Sequence, residues 1–176
     1  MTTQKIHRLA MAGAFAALTC TATMLLSIRS PLGGYFNMGD TLLLLSALLL
    51  GKKWGTAAGA FGAALADVFL AYFLYAPATL VIKALTALTA VLIWELFRKK
   101  NYFVLLLACI LGELVMAGGY FLYELFLYDL GGCWQNLIFV NLPQAAINAA
   151  SASLLFFLLE KTDLSKYIVG GKTNVK

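Results

Sequence analysis

The chain of 176 residues is 62% hydrophobic and only 12% charged, with a formal net charge of +5. A soluble domain carries roughly 25% charged residues, so this composition excludes an ordinary water-soluble fold and requires lipid over much of the surface. The basic excess does not point to nucleic acid, because the cations sit at the ends of apolar runs and are not interleaved with aromatics.

One domain, residues 1–176, is expected: an all-α integral membrane domain of six transmembrane helices. A span needs roughly 20 mostly apolar residues to cross the ~30 Å hydrocarbon layer. The first candidate, Leu9 to Ile28, follows Lys5 and Arg8. It is longer than a signal-peptide core of roughly 7 to 15 residues, and no small-residue cleavage site follows in Arg29-Ser30-Pro31-Leu32, so it is expected to be retained. In it Ala10 and Ala14, Ala12 and Ala16, and Gly13 and Ala17 form small faces for close helix docking, within this bundle or on another membrane protein.

The second candidate, about Gly39 to Leu50, is short. With glycines before it, the stretch from Tyr35 is expected to be part loop and part helix, which at membrane depth requires shielding by protein. Such interruptions often mark binding sites. Trp54 to Leu74, Ala78 to Phe97, Tyr102 to Leu127 and Leu137 to Leu159 complete the six. Gly55, Gly59 and Gly62 make another small stripe. Breaks are expected at Pro31-Leu32-Gly33-Gly34, at Gly51-Lys52-Lys53, before Pro77, at Arg98-Lys99-Lys100-Asn101 and at Asp129-Leu130-Gly131-Gly132.

Cytoplasmic loops carry the excess of Lys and Arg. Lys5, Arg8, Lys52, Lys53, Arg98, Lys99, Lys100, Lys161, Lys166, Lys172 and Lys176 fall on one side, leaving only Arg29 at the opposite end and Lys83 within a span. Both termini are therefore expected in the cytoplasm.

Ionisable residues inside spans are expensive and mark candidate functional positions. These are Asp67, Lys83, Glu113 and Glu124. On the expected boundaries Asp67 lies about 10 Å and Lys83 about 9 Å from the outer ends of their helices. An ion pair between them and direct contact with a ligand are both open readings. Thr79, Lys83 and Thr86 share one helix face, as do Glu113, Tyr120 and Glu124, and Asn141, Gln144 and Asn148. Each stripe alone reads equally as interhelical glue; the three together favour a polar pocket in the outer half. Asp40, before an apolar helix, reads as an N-cap. Tyr72 and Tyr75 read as members of the aromatic belt.

No catalytic constellation competes with this. The single His7 excludes a histidine pair for a metal, no phosphate loop or serine elbow occurs, and Cys20, Cys109 and Cys133 are too scattered for zinc or a disulfide framework. A carrier this small, with no ATP-binding motif and no duplicated half, needs an external engine.

Four segments carry a family resemblance: Gly34-Tyr35-Phe36-Asn37-Met38-Gly39-Asp40, Leu49-Leu50-Gly51, Gly59-Ala60-Phe61-Gly62-Ala63-Ala64-Leu65-Ala66-Asp67 and Tyr75-Ala76-Pro77-Ala78-Thr79-Leu80-Val81-Ile82-Lys83. In these the chain resembles the substrate-binding S components of energy-coupling factor (ECF) vitamin transporters, in the riboflavin-type branch that also includes proteins assigned to hydroxymethylpyrimidine and pyridoxine-like vitamins. The resemblance implies capture of a water-soluble vitamin from outside. It implies partnership with a transmembrane scaffold subunit and two cytoplasmic ATPases, which use ATP, while this chain has no cofactor, metal or enzymatic activity of its own. It implies docking on the scaffold through the small face of the first helix, Ala10 to Ala14 or Ala12 to Ala16. It places Tyr35, Asn37, Lys83, Glu113, Asn141, Gln144 and Asn148 at pocket positions. A self-sufficient small carrier or channel and a purely structural subunit are the alternatives from other classes. The substrate reading leans to a pyrimidine or pyridine vitamin, with riboflavin as the alternative.

Overall fold

The computed structural model describes residues 3–30, 34–98, 101–162 and Ile168. The chain runs α1 (Thr3–Leu25), β1 (Ser27–Arg29), β2 (Tyr35–Asn37), α2 (Gly39–Phe69), α3 (Tyr75–Leu96), α4 (Tyr102–Glu124), α5 (Leu130–Asn136), a π-helical turn (Leu137–Asn141) and α6 (Leu142–Lys161). Four stretches, Gln4–Leu25, Tyr75–Leu96, Tyr102–Glu124 and Leu130–Lys161, are long and apolar enough to cross a membrane. Their outward faces carry Leu18, Leu85, Phe103, Leu122 and Phe139, all exposed, which fits a hydrocarbon surround and not water.

The expected loop at Gly51-Lys52-Lys53 is instead a reversal carried by one residue. Gly51 takes φ 81° and ψ 177° inside α2, a conformation that only glycine adopts without strain. Residues 39–50 and 52–69 are antiparallel arms: Ser46 Oγ donates to Gly55 O at 2.7 Å, and Gly59 lies against Leu43 and Ser46. In a straight helix nine residues span roughly 13 Å, so such contacts require the chain to turn back. A Cβ on Gly55 would collide with the Ser46 and Ala47 backbone, and one on Gly62 with the Ala16 backbone. The glycine stripe thus lets the second arm touch both the first arm and α1. The first arm, 12 residues by its bounds, is short as expected.

The second arm ends at Phe69, not Leu74. Tyr72 N donates to Asp67 O at 2.7 Å and Ala71 N to Val68 O at 3.2 Å, the paired bonds of a Schellman cap with Ala71 in the left-handed region at φ 64°. That conformation costs an alanine about 1 kcal/mol or more. Ala71→Gly is therefore expected to raise stability by up to about 1 kcal/mol, read as a higher melting temperature in detergent.

α3 begins at Tyr75 and accommodates Pro77 in its first turn, where an N–H has no helical partner to lose. α4 is capped by Asn101, whose side chain accepts from Val104 N at 2.9 Å, and ends at Glu124 rather than Leu127. The expected break at Asp129 to Gly132 is a helix start: Asp129 caps α5 by accepting from Gly131 N and Gly132 N. Of the other expected breaks, Pro31 to Gly33 and Lys99 to Lys100 lie outside the described residues, as do Lys166, Lys172 and Lys176.

β1 and β2 form a small antiparallel hairpin, Ile28 facing Phe36, the one addition to a helical bundle among the described residues. It lies at the end of the bundle where α3 starts and α4 stops. At the other end, Lys52 and Glu95 form an exposed pair at 3.3 Å, and the main apolar core gathers there, including Trp94 edge-on to Phe156.

Candidate functional site

The hairpin end of the bundle holds a polar cavity. The hairpin contributes Gly34, Tyr35 and Asn37, α2 contributes Asp67, and α3 contributes Tyr75 and Thr79. α4 adds Tyr120 and Glu124; α5 and the π turn add Asn136, Val140 and Asn141; α6 adds Gln144. The enclosed space is about 30 Å³, room for about one water molecule. A neighbouring, more open cavity of about 370 Å³ shares Gly34 and Tyr75 with it and is otherwise lined by residues such as Tyr72, Phe73 and Tyr128. The Tyr75 side chain stands between the two. Its hydroxyl lies 3.2 Å from Tyr128 Oη and 3.5 Å from Glu124 Oε1, and its single proton serves one of them at a time.

Two carboxylates define the electrostatics. Asp67, 1% exposed, accepts from the Tyr35 hydroxyl through Oδ1, while its Oδ2 has no partner. Glu124, 3% exposed, accepts from Asn136 Nδ2 at 3.3 Å and from Tyr75 through Oε1, and its Oε2 is likewise unpartnered. Thr79 Oγ1 and the Tyr120 hydroxyl are 2.9 Å apart. Asn141 leaves its amide Nδ2 without a partner.

Beneath this cavity a second network holds the hairpin to the bundle. Gln144 Oε1 accepts from Asn37 N at 2.8 Å, and its Nε2 donates to Asp40 Oδ2 at 2.7 Å. Asn148 Oδ1 accepts from Thr41 N at 2.9 Å and Thr41 Oγ1 at 2.7 Å, and its Nδ2 donates to Asn37 O at 2.9 Å. The free N–H groups opening α2 are thus capped from α6, and by Asn37 Oδ1 from Gly39 N at 2.9 Å.

Lys83 Nζ closes the network on Asp40 Oδ2 at 2.6 Å, both side chains being at most 3% exposed. This corrects two expectations. Lys83 pairs with Asp40 and not Asp67, and Asp40 spends its carboxylate on Lys83 and Gln144, not on capping, since α2 has no side-chain cap at Met38. The depths explain the first. With α2 ending at Phe69 and α3 starting at Tyr75, Asp67 lies about 3 Å from its helix end and Lys83 about 12 Å from its own, so they do not level.

Of the expected pocket residues, Tyr35, Asn37, Asn141 and Gln144 line the cavity. Lys83, Glu113 and Asn148 do not. Glu113 is fully buried with both oxygens unpartnered, beside an apolar cleft between α4 and α6 lined by Ile110, Leu142 and Ala145 among others. Asp67, Thr79, Tyr120 and Glu124 were visible as polar positions inside spans. Asn136 carried no such signal, because it sits just before the last expected span. Tyr72 and Tyr75 are more than belt residues: Tyr75 is buried and bonded into the site, and Tyr72 packs on Tyr35 with ring centroids 5.0 Å apart.

The small faces of α1 separate as well. Ala12 is buried and Ala16 half-buried, the latter against Gly62, so this register serves the bundle. Ala10, Gly13, Ala14 and Ala17 are exposed.

Comparison with known proteins agrees with this architecture. A protein of Pyrococcus woesei, described as an uncharacterized protein in gap 3' region, is 41% identical over 146 residues, covering 82% of this chain and 95% of that protein. Residues 3–162 match the family described as ECF-type riboflavin transporter, S component, a family of multi-pass membrane transport proteins. The chain belongs to the ECF-type riboflavin transporter S component family.

Proposed function

We propose that this chain captures a small water-soluble vitamin or vitamin precursor from outside the cell and delivers it through a shared ATPase module. The observation that carries this reading is the buried polar cavity under the hairpin, set into a bundle whose exterior is apolar. A cavity lined by convergent hydroxyl, amide and carboxylate groups suits a water-soluble guest and has no use for a lipid tail.

In this reading the chain lies in the plasma membrane. α1, the two arms of α2, α3, α4 and the α5 to α6 unit form six spans, both termini are cytoplasmic, and the cavity faces outward. The Lys5, Arg8, Lys52, Lys53 and Arg98 end is then cytoplasmic, in line with the positive-inside rule. The partners are a transmembrane scaffold and two ATPases, which hydrolyse ATP; the chain needs no cofactor. The exposed Ala10 and Ala14 face, not the Ala12 and Ala16 face, is the one free to dock on a scaffold. The favoured guest is a single-ring molecule such as hydroxymethylpyrimidine or a pyridoxine-like vitamin, with riboflavin as the alternative.

The test is uptake of radiolabelled vitamins into proteoliposomes. Transport is expected only when the chain is reconstituted with its scaffold and ATPases and supplied with ATP. Uptake by this chain alone would mark it as a self-sufficient carrier and overturn the proposal.

A further inference from the structure

We infer that Tyr75 is a side-chain gate: a guest passes from the outer cavity when the Tyr75 ring turns aside, and the binding chamber is the two cavities joined. The inference rests on the capture reading above and names the residue that controls access to its site, whichever vitamin is carried.

Volume sets the problem. The polar cavity under the hairpin holds about 30 Å³, room for about one water molecule, whereas pockets for small organic ligands run from roughly 300 to 1,000 Å³. The cavity next to it, at about 370 Å³, falls in that range. The amide and carboxylate groups able to fix a guest line the small space, and the room for one lies in the large space. Gly34 and Tyr75 line both. Gly34 has no side chain to turn, so the movable part of the wall is the Tyr75 ring.

Tyr75 is held as a moving ring would be. Its backbone is fixed, with Tyr75 N donating to Tyr72 O at 2.9 Å and the Tyr123 hydroxyl donating to the preceding carbonyl, Leu74 O. Its side chain is held loosely. The hydroxyl is 3.2 Å from Tyr128 Oη and 3.5 Å from Glu124 Oε1, both long for an O–H bond, whose usual length is about 2.7 Å. Its ring meets those of Tyr123, Tyr72 and Tyr120 edge-on or tilted, at centroid distances of 5.6, 6.1 and 6.4 Å, and stacks face to face on none of them. With unfilled space on either side, a change of rotamer need not displace a packed core. Glu124 keeps its bond from Asn136 Nδ2 at 3.3 Å when Tyr75 leaves. The joined chamber then has a polar floor that includes Asp67, Asn141 and Gln144, and an aromatic mouth of Tyr72, Phe73 and Tyr128.

An obstacle on the path slows entry and release alike and leaves their ratio unchanged, whereas a lost contact acts mainly on release. Binding and release of radiolabelled hydroxymethylpyrimidine, pyridoxine and riboflavin, each followed separately by rapid filtration on the full chain in detergent, distinguish the two. For the probe that binds, Tyr75→Ala is expected to raise both rate constants at least about tenfold while Kd stays within about threefold. Tyr75→Phe keeps the ring and loses the hydroxyl's hold, and is expected to raise both by about two- to fivefold. If Tyr75→Ala does not keep a cooperative melting curve, Tyr75→Phe decides. Rates that stay at their wild-type values, or a release that quickens while association does not, overturn the inference and leave vitamin capture standing. If the wild-type chain binds nothing in a panel of water-soluble vitamins that includes these three, the capture reading falls and the inference with it.

Discussion

Lys83→Met is expected to destabilise the chain by about 3–5 kcal/mol, because it leaves the Asp40 carboxylate buried without its counter-charge. Asp40 Oδ2 holds Lys83 at 2.6 Å and Gln144 at 2.7 Å, and Gln144 in turn holds Asn37 N at 2.8 Å. The damage therefore reaches the hairpin that covers the cavity. The double variant Asp40→Asn with Lys83→Met, which removes both charges, is expected to recover most of the loss. Asp67→Asn with Lys83→Met is not. Thermal unfolding in detergent reads both, and recovery by the Asp67 combination instead would show that Lys83 serves Asp67.

Asn148→Ala has the second large expected effect, and it is one of stability and not of ligand contact. Removing the amide leaves the Thr41 hydroxyl and the Asn37 carbonyl unpartnered and weakens the cap on α2, where Thr41 N keeps only a long bond of 3.3 Å to Met38 O. Each buried polar group left unpaired costs about 1–3 kcal/mol, so a loss of about 2–6 kcal/mol is expected in unfolding experiments without ligand. A variant that melts like the wild type yet fails to hold ligand would instead make Asn148 a direct contact.

The polar stripes were legible in the sequence because helical spacing is local: Asn141, Gln144 and Asn148 do share a buried face, three and four residues apart. What each member does was not legible. Gln144 reaches the cavity, whereas Asn148 one turn further on caps a helix whose start lies 107 residues away in sequence. Such division of labour depends on tertiary neighbours. The same holds for Lys83, whose partner Asp40 lies 43 residues away on a helix start that looked self-capping.

Two further features of the chain trace are local in origin. Gly51 before a lysine pair marked a chain reversal, and only its positive φ shows how little chain the turn needs. Pro143, within the run from Leu137 to Leu159, lacks the N–H that would continue the preceding helical ladder. There Leu142 N bonds back to Leu137 O, five residues earlier, and the wider π turn carries Asn141 at the cavity wall. Such turns cluster at functional sites. The docking faces of α1 were equivalent in sequence, and packing against Gly62 separated them.

Native mass spectrometry of the full chain, purified from its source membrane in detergent, tests the central claim most directly. The account predicts one small water-soluble organic molecule bound per chain, absent from Thr79→Phe, whose larger side chain would fill the cavity beside Tyr120. A chain that carries only lipid, or a small molecule held equally well by Thr79→Phe, would contradict it.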